Sequence, residues 1–422
     1  MELKKICKGT QFAFHQSAQS KSTVLSLSLL APLDEKTTAR ALLLQLLART
    51  TKQYPTTCLL NRRLASLYGA TISPQVDKQG EMQVLSLVLQ CPDDRFALEN
   101  EPICADAVNL LCDCLLLPDV TPDGFKEENV RREKELLRQK IDSRSDDKRR
   151  YAMDRLIEEM CKDEPYRRIP IGDKAEIDAI TGKELFDLWK DLMLHAHVLI
   201  SFVGSTQPET LLETLKMRLG AIEKQDLPEL RTEFLTESYG SQTVREAQDV
   251  KQGKLVIGYR AGMTYEMDNY AAIRLMSAIF GGGTFSKLFM NVREKMSLCY
   301  YCSARLVRHK GLLIVESGIE PENAEKALDA IRHELDAVRA GDFTDETLEQ
   351  AKRYLRDSFR SVTDSNFSTL SWLRQFGASA VFQTPEELAD AIDGVSREEV
   401  ILSANLVSED TVYILDDSGK EA

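Results

Sequence analysis

Few residues in this chain have the types and spacing that could do chemistry. Its five histidines are His15, His195, His197, His309 and His333. Histidines four apart on a helix share one face and can bind one zinc, with a glutamate beside them to activate water. No pair here has that spacing in either direction. His333-Glu334 starts such a pattern, but Ala337 takes the second histidine position. His195 and His197 alternate onto one face of an expected strand. No cysteine or carboxylate is expected within short reach of them, so they read as edge-strand residues. Cys299-Tyr300-Tyr301-Cys302 has redox spacing, but it lies in an expected strand rather than at a helix N-terminus, where a reactive thiolate is favoured. Cys112 and Cys114 fall on an apolar helix, 105–117, and read as packing residues. Gly281 to Gly283 fit neither a Walker loop nor a dinucleotide fingerprint and read as a flexible inter-helix linker.

The elements that must position these residues follow from composition and periodicity. At 422 residues the chain exceeds one hydrophobic core. With 43% hydrophobic and 29% charged residues it has an ordinary globular balance. A net charge of −13 opposes a nucleic-acid or anionic-membrane surface as the main partner. Met1 to Gly9 lead into no apolar signal core, and the apolar runs 24–33 and 41–48 are too short to span a bilayer. Nine cysteines, an odd number, read as free thiols, so a cytoplasmic location is expected.

The chain also repeats itself. The strand-like run 23–31 leads into a helix over 37–50, and the run 254–261 leads into a helix over 268–280. Ala31 falls on Ala261 at an offset of 230, and Gly80 falls on Gly311 at 231. Each half continues with an apolar helix (105–117; 324–338). A charged helix follows, beginning near Thr121-Pro122-Asp123 and near Thr344-Asp345-Glu346, and a closing strand (197–203; 411–415) ends each half. Two homologous domains are therefore expected, 1–225 and 240–422, joined by a polar segment over 232–252. Each would be α+β, a mainly antiparallel sheet with helices on one face.

This two-domain repeat resembles the insulinase (pitrilysin) family of zinc peptidases. Its most specific stretch is Phe280 to Phe289 continuing through Asn291 to Tyr300, similar to the family's second-domain signature of a glycine-rich link, an Arg-Glu-Lys helix end and a Tyr seven residues after the Arg. Glu164-Pro165-Tyr166 followed by Gly172 resembles the first-domain pattern. Tyr54-Pro55-Thr56, Leu67 to Ala70 and Leu156 to Cys161 are similar to non-catalytic members from Gram-positive bacteria, a subgroup whose implied context is modification of elongation factor P.

Active members carry His-x-x-Glu-His on the first helix of the first domain. Here Leu42 and Leu46 stand at the ligand positions and Gln45 at the general-base position. Leucine has no lone pair for zinc, and an amide is a poor proton acceptor. Glu133 matches the third ligand, and alone it reads as part of a solvated, ion-paired helix face. No cofactor is expected in this chain, and zinc is expected in a partner. The resemblance further implies that Arg293 and Tyr300 hold substrate backbone, with Arg62 and Gly69 the equivalents in the first half, so that the pair exists once.

The resulting expectation is a catalytically inactive subunit that pairs with a homologous zinc-bearing peptidase and helps enclose a peptide substrate. A stand-alone peptide-binding or scaffold protein, or a hydrolase of another mechanism, are the alternatives, and self-association as a homodimer is open when the chain is alone.

Overall fold

Alternating apolar residues build the first sheet. In the computed structural model, which describes residues 1–417 other than 239, 265 and 380, β1 (Glu2–Cys7) and β2 (Thr10–Gln16) form a hairpin leading to the long β3 (Ser22–Pro32). Helices α1 (Thr37–Leu47) and α2 (Thr57–Ser66) follow, then the hairpin β4 (Thr71–Gln79) and β5 (Met82–Pro92), and α3 (Ile103–Leu116). A two-residue hairpin, β6 (Val120–Thr121) and β7 (Gly124–Phe125), occupies the place where the charged helix was expected to begin. That helix, α4, runs Glu127–Asp146, and α5 (Lys148–Met160), α6 (Gly182–His195), β8 (His197–Gly204) and α7 (Pro208–Leu219) complete the first half.

The second half repeats the plan with β9 (Gln242–Ala247), β10 (Gly253–Arg260), α8 (Tyr270–Gly281), a wide helix over Leu288–Lys295, β11 (Cys299–Val307) and β12 (Leu312–Ile319). Then come α9 (Ala324–Arg339), α10 (Asp345–Arg360, capped by Thr344), α11 (Asn366–Arg374), α12 (Pro385–Asp393), α13 (Arg397–Leu406) and β13 (Ser408–Asp416). The segment 232–252, expected as a polar connection, contributes β9, because its alternating half-buried residues suit a sheet edge.

Strand order is β1-β2-β8-β3-β5-β4 in one sheet and β9-β13-β10-β12-β11 in the other. From β2 to β4 the first order corresponds strand for strand with the second, and β1 is an additional edge strand of the six-stranded sheet. Pairing is antiparallel except between β2 and β8 and between β9 and β13, the same place in each repeat. The expected α+β fold of two tandem, mainly antiparallel domains is what the chain adopts.

Each sheet also carries a helix on its second face. Leu25, Leu27 and Leu29 of β3 belong to the core that includes Leu42, Leu46 and Leu111. Val24 and Leu30, of opposite parity, belong instead to a core with Leu370 and Leu373 of α11. The period of two separates the faces. Likewise Val256, Leu312, Ile314 and Tyr413 pack with Leu156, Ile157 and Met160 of α5. The compact units are accordingly 1–142 with 168–231 and 362–382, and 143–167 with 232–361 and 383–422. Buried charge fastens α5 and the turn after it. Glu164 receives bonds from Arg260 Nη2 at 2.8 Å and sits 2.6 Å from Lys310 Nζ, while Arg260 Nε reaches Asp410 at 2.8 Å. Arg260 and Lys310 are almost wholly buried, so these pairs hold one geometry. Among the described residues no helix is long and apolar enough to cross a membrane.

Candidate functional site

Helix α1 holds the positions where zinc ligands stand in active relatives. It forms because nine of its eleven residues are Ala, Leu, Gln or Arg, all good helix formers, and because tertiary packing surrounds it. Leu42 is 0% and Leu46 2% exposed, and both belong to one core with Val130 and Leu137 of α4. Gln45 is half-buried. A cleft of about 720 Å³ reaches Thr38 and Ala39 at the start of α1, beside Glu176, Glu184, Asp187 and Asp191, but none of the three degenerate positions lines it.

Glu133 departs from its expected solvated face. Its side chain is buried, with Oε1 3.2 Å from Arg132 Nε and 3.5 Å from Arg49 Nε. Val130, Glu133 and Leu137 are the buried residues of α4, at i, i+3 and i+7, so the carboxylate shares the core-facing stripe. That spacing was readable in the sequence. Ion pairing itself is as expected, and two guanidinium groups supply the positive charge that a buried carboxylate requires. Among the described residues Oε2 finds no hydrogen-bond partner. The donors around α1 therefore do not fit zinc: two alkyl groups, one amide and one carboxylate already paired. Among the described residues no three His, Cys, Asp or Glu side chains converge to hold a metal.

Arg293 and Tyr300 lie on consecutive elements of the second unit. The helix carrying Arg293 is wider than an α-helix, since the Met296 N–H bonds to Asn291 O five residues back, at 3.0 Å. The extra residue per turn moves Met296 out of the apolar stripe expected for Phe285, Leu288, Phe289, Val292 and Met296; it is 50% exposed, whereas Leu288 and Val292 are buried. Asn291 Nδ2 donates to buried Glu334 of α9 at 2.8 Å, which anchors this helix. The Arg293 guanidinium lies 4.6 Å over the Phe289 ring and 3.6 Å from Glu294, half-exposed. A left-handed Ser297 (φ 52) then turns the chain into β11.

Tyr300 is 57% exposed, and its hydroxyl donates to Glu320 at 3.1 Å. That bond to a carboxylate raises the phenol above its ordinary pKa, so it stays a donor. Arg293 and Tyr300 are thus both presented to solvent, and Arg293 acts electrostatically on Cys299, next to Tyr300. In the first half, Arg62 and Gly69 are exposed. Yet Tyr68, one residue before Gly69, also donates to a glutamate, Glu101, at 2.6 Å. A tyrosine–glutamate bond between the second helix and the approach to the third recurs in both units. An alignment of Gly69 with Tyr300 hides it by one position.

The histidine pair is not an edge-strand feature. His195 closes α6, with Nδ1 2.9 Å from Gln225 O, and His197 opens β8, an interior strand, with Nε2 2.8 Å from Pro228 O. Asp191, a helical turn before His195 and 4.0 Å from it, puts a carboxylate beside the pair where none was expected. On α9, His333 is exposed while Glu334 is buried toward Asn291, so these neighbours point apart. Cys112 and Cys114 are buried on α3, and burial pushes both thiols up to about 12. The triple glycine is a packed turn rather than a loose linker. A Cβ on Gly281 would stand 2.6 Å from the Ala304 backbone nitrogen of β11.

Comparison with known proteins agrees with this architecture. The domain model described as the peptidase M16 inactive domain matches residues 179–355. The chain is 33% identical over 415 residues, 98% of its length and 97% of the relative's, to the probable inactive metalloprotease YmfF of Bacillus subtilis. A conserved protein of Enterococcus faecalis has a similar crystal structure, with TM-score 0.88 and 25% identity, covering 100% of this chain and 99% of that one. A peptidase M16 inactive domain from Pseudomonas fluorescens shares the fold, with TM-score 0.77 and 18% identity over 96% and 95% of the two chains. Leucines at the ligand positions and near-full-length similarity lead to one conclusion: the chain belongs to the M16 family, the insulinase-like zinc peptidases, as an inactive homologue.

Proposed function

We propose that this chain is the non-catalytic half of a two-chain, cytoplasmic peptide-processing chamber. A homologous zinc-bearing partner supplies the metal and the general base. This chain supplies Arg293 and Tyr300, which hydrogen-bond the backbone of a peptide substrate. What carries the reading is the contrast within one molecule: apolar packing at Leu42 and Leu46, and two polar donors kept exposed at Arg293 and Tyr300. Stacking on Phe289 and the bond to Glu320 hold those donors in place without burying them.

Co-expression with a homologue bearing an intact His-x-x-Glu-His, followed by co-purification and a peptidase assay, tests this. A hydrogen bond from a charged donor contributes about 1.5–3 kcal/mol and a neutral hydroxyl about 0.5–1.5 kcal/mol. Arg293→Ala is therefore expected to lower kcat/KM by about tenfold to a hundredfold, and Tyr300→Phe by less. Arg62→Ala and Tyr68→Phe, the first-half counterparts, are expected to leave turnover nearly unchanged. A fully active Arg293→Ala complex removes the pair from the mechanism. Peptide binding by this chain alone, with no association to any zinc-bearing homologue, would transfer the function to a stand-alone binder.

A further inference from the structure

β11 opens with a bulge. Cys299 faces Ile319 on β12 and Tyr301 faces Gly318, leaving Tyr300 as an extra residue. In a regular strand, residues three apart point to opposite faces. The extra residue cancels one alternation. Cys302 faces Ser317, two residues from Ile319, so Cys299 and Cys302 share a face. Their side chains hydrogen-bond each other there. That contact already sets the two sulfurs side by side, and closing a disulfide, whose Cβ atoms stand about 3.5–4.5 Å apart, needs the bulge to draw the two residues closer.

The two thiols differ in access and charge. Cys302 is buried and Cys299 half-exposed. The hydrogen bond from Cys302 pulls the Cys299 thiol down to about 7 against the effect of burial, with Ser317 and the Arg293 charge adding to it. The same bond, with burial, holds Cys302 well above its ordinary value. An attacking thiol with a protonated neighbour is the arrangement that dithiol oxidation uses.

We propose that Cys299 and Cys302 are a modification site, closing to a reversible intrachain disulfide when a hydroperoxide is the oxidant. The Cys299 thiolate attacks the peroxide oxygen and breaks the O–O bond. The peroxide leaves as alcohol or water, and Cys299 becomes a sulfenic acid. The Cys302 sulfur then attacks the Cys299 sulfur, forming the S–S bond, and the hydroxyl leaves with the Cys302 proton as water. An external dithiol reverses the bond by exchange. The closed ring spans Tyr300 and fixes the bulge that presents it. Any effect on peptide holding rests on the function proposed above, whereas the bond itself does not.

Equimolar hydrogen peroxide on the full chain, followed by alkylation, non-reducing trypsin digestion and mass spectrometry, tests the site. The tryptic peptide Met296–Arg305 contains both cysteines. It is expected unalkylated and lighter by two hydrogens, and restored by dithiothreitol. At pH 7 the reaction is expected about tenfold faster than with a free cysteine thiol of pKa about 8.5, from the larger thiolate fraction. Cys302→Ser, which leaves the buried position polar but small, is expected to stop at a Cys299 sulfenic acid that dimedone traps. Recovery of Met296–Arg305 fully alkylated while Cys58 or Cys7 carries the oxidation overturns the proposal, as does a Cys302→Ser chain with no dimedone adduct at Cys299.

Discussion

Restoring the zinc motif is the sharpest perturbation of this fold. The triple variant Leu42→His, Gln45→Glu, Leu46→His puts two imidazoles where the leucines are 0% and 2% exposed. Burying a leucine stabilises by about 1.5–3 kcal/mol. An imidazole retains part of that, but each buried ring nitrogen without a partner costs about 1–3 kcal/mol. The loss is then roughly 3–5 kcal/mol per site and about 6–10 kcal/mol for the pair, against a total stability of about 5–15 kcal/mol. Zinc offers limited rescue. Even at a thousandfold excess over its dissociation constant it returns about 4 kcal/mol, and the third donor, Glu133, is already engaged by Arg49 and Arg132. Urea unfolding followed by circular dichroism, with and without zinc, reads the outcome. The expected result is a large loss of midpoint that zinc does not repair and no peptidase activity. The volume-conserving control Leu42→Met, Leu46→Met is expected to cost less than about 1.5 kcal/mol per site. A triple variant that keeps the wild-type midpoint and retains one zinc per chain would refute the packed-helix argument.

Glu164→Gln leaves Lys310 and Arg260 short of a buried counter-charge and is expected to destabilise by about 3–5 kcal/mol, read as a shift in urea midpoint at constant m-value. Gly281→Ala sets two effects against each other. Helix propensity favours alanine by about 1 kcal/mol, but the new methyl meets Ala304 N at 2.6 Å and Leu288 Cδ1 at 2.8 Å. Overpacking at about 1–3 kcal/mol is expected to win, so thermal unfolding should move down rather than up. His309 is pushed down to about 3, by burial first and then by the Arg308 charge, from 6.5. Its folded pKa is depressed, so the unfolded chain binds the proton more readily. Stability is fully present above pH 6.5 and is lost as pH falls from there toward 3. His309→Gln is expected to flatten that part of the stability–pH curve, and an unchanged slope would show that His309 is not a source of it.

The repeat, the sheet-and-helix plan and the loss of the metal donors were all legible in the sequence, for a local reason. Period-two strands, apolar helices and the residues at positions 42, 45 and 46 are properties of short segments, and an offset of 230–231 needs no coordinates to be read. What the sequence left undecided depends on partners far along the chain. Glu133 reads as a charged helix residue until Val130 and Leu137 turn its face into the core. The Tyr68–Glu101 bond, counterpart of Tyr300–Glu320, is invisible to an alignment that is one residue out of step. The bulge at Tyr300 moves Cys299 to the face of Cys302, which alternation alone would have forbidden. Above all, the second face of each sheet is covered by a helix, α5 or α11, whose own sequence does not say which sheet it joins. An amphipathic segment records only that it must bury one side. The surface that receives it is set when strands distant in sequence come together and leave an apolar face of matching parity uncovered.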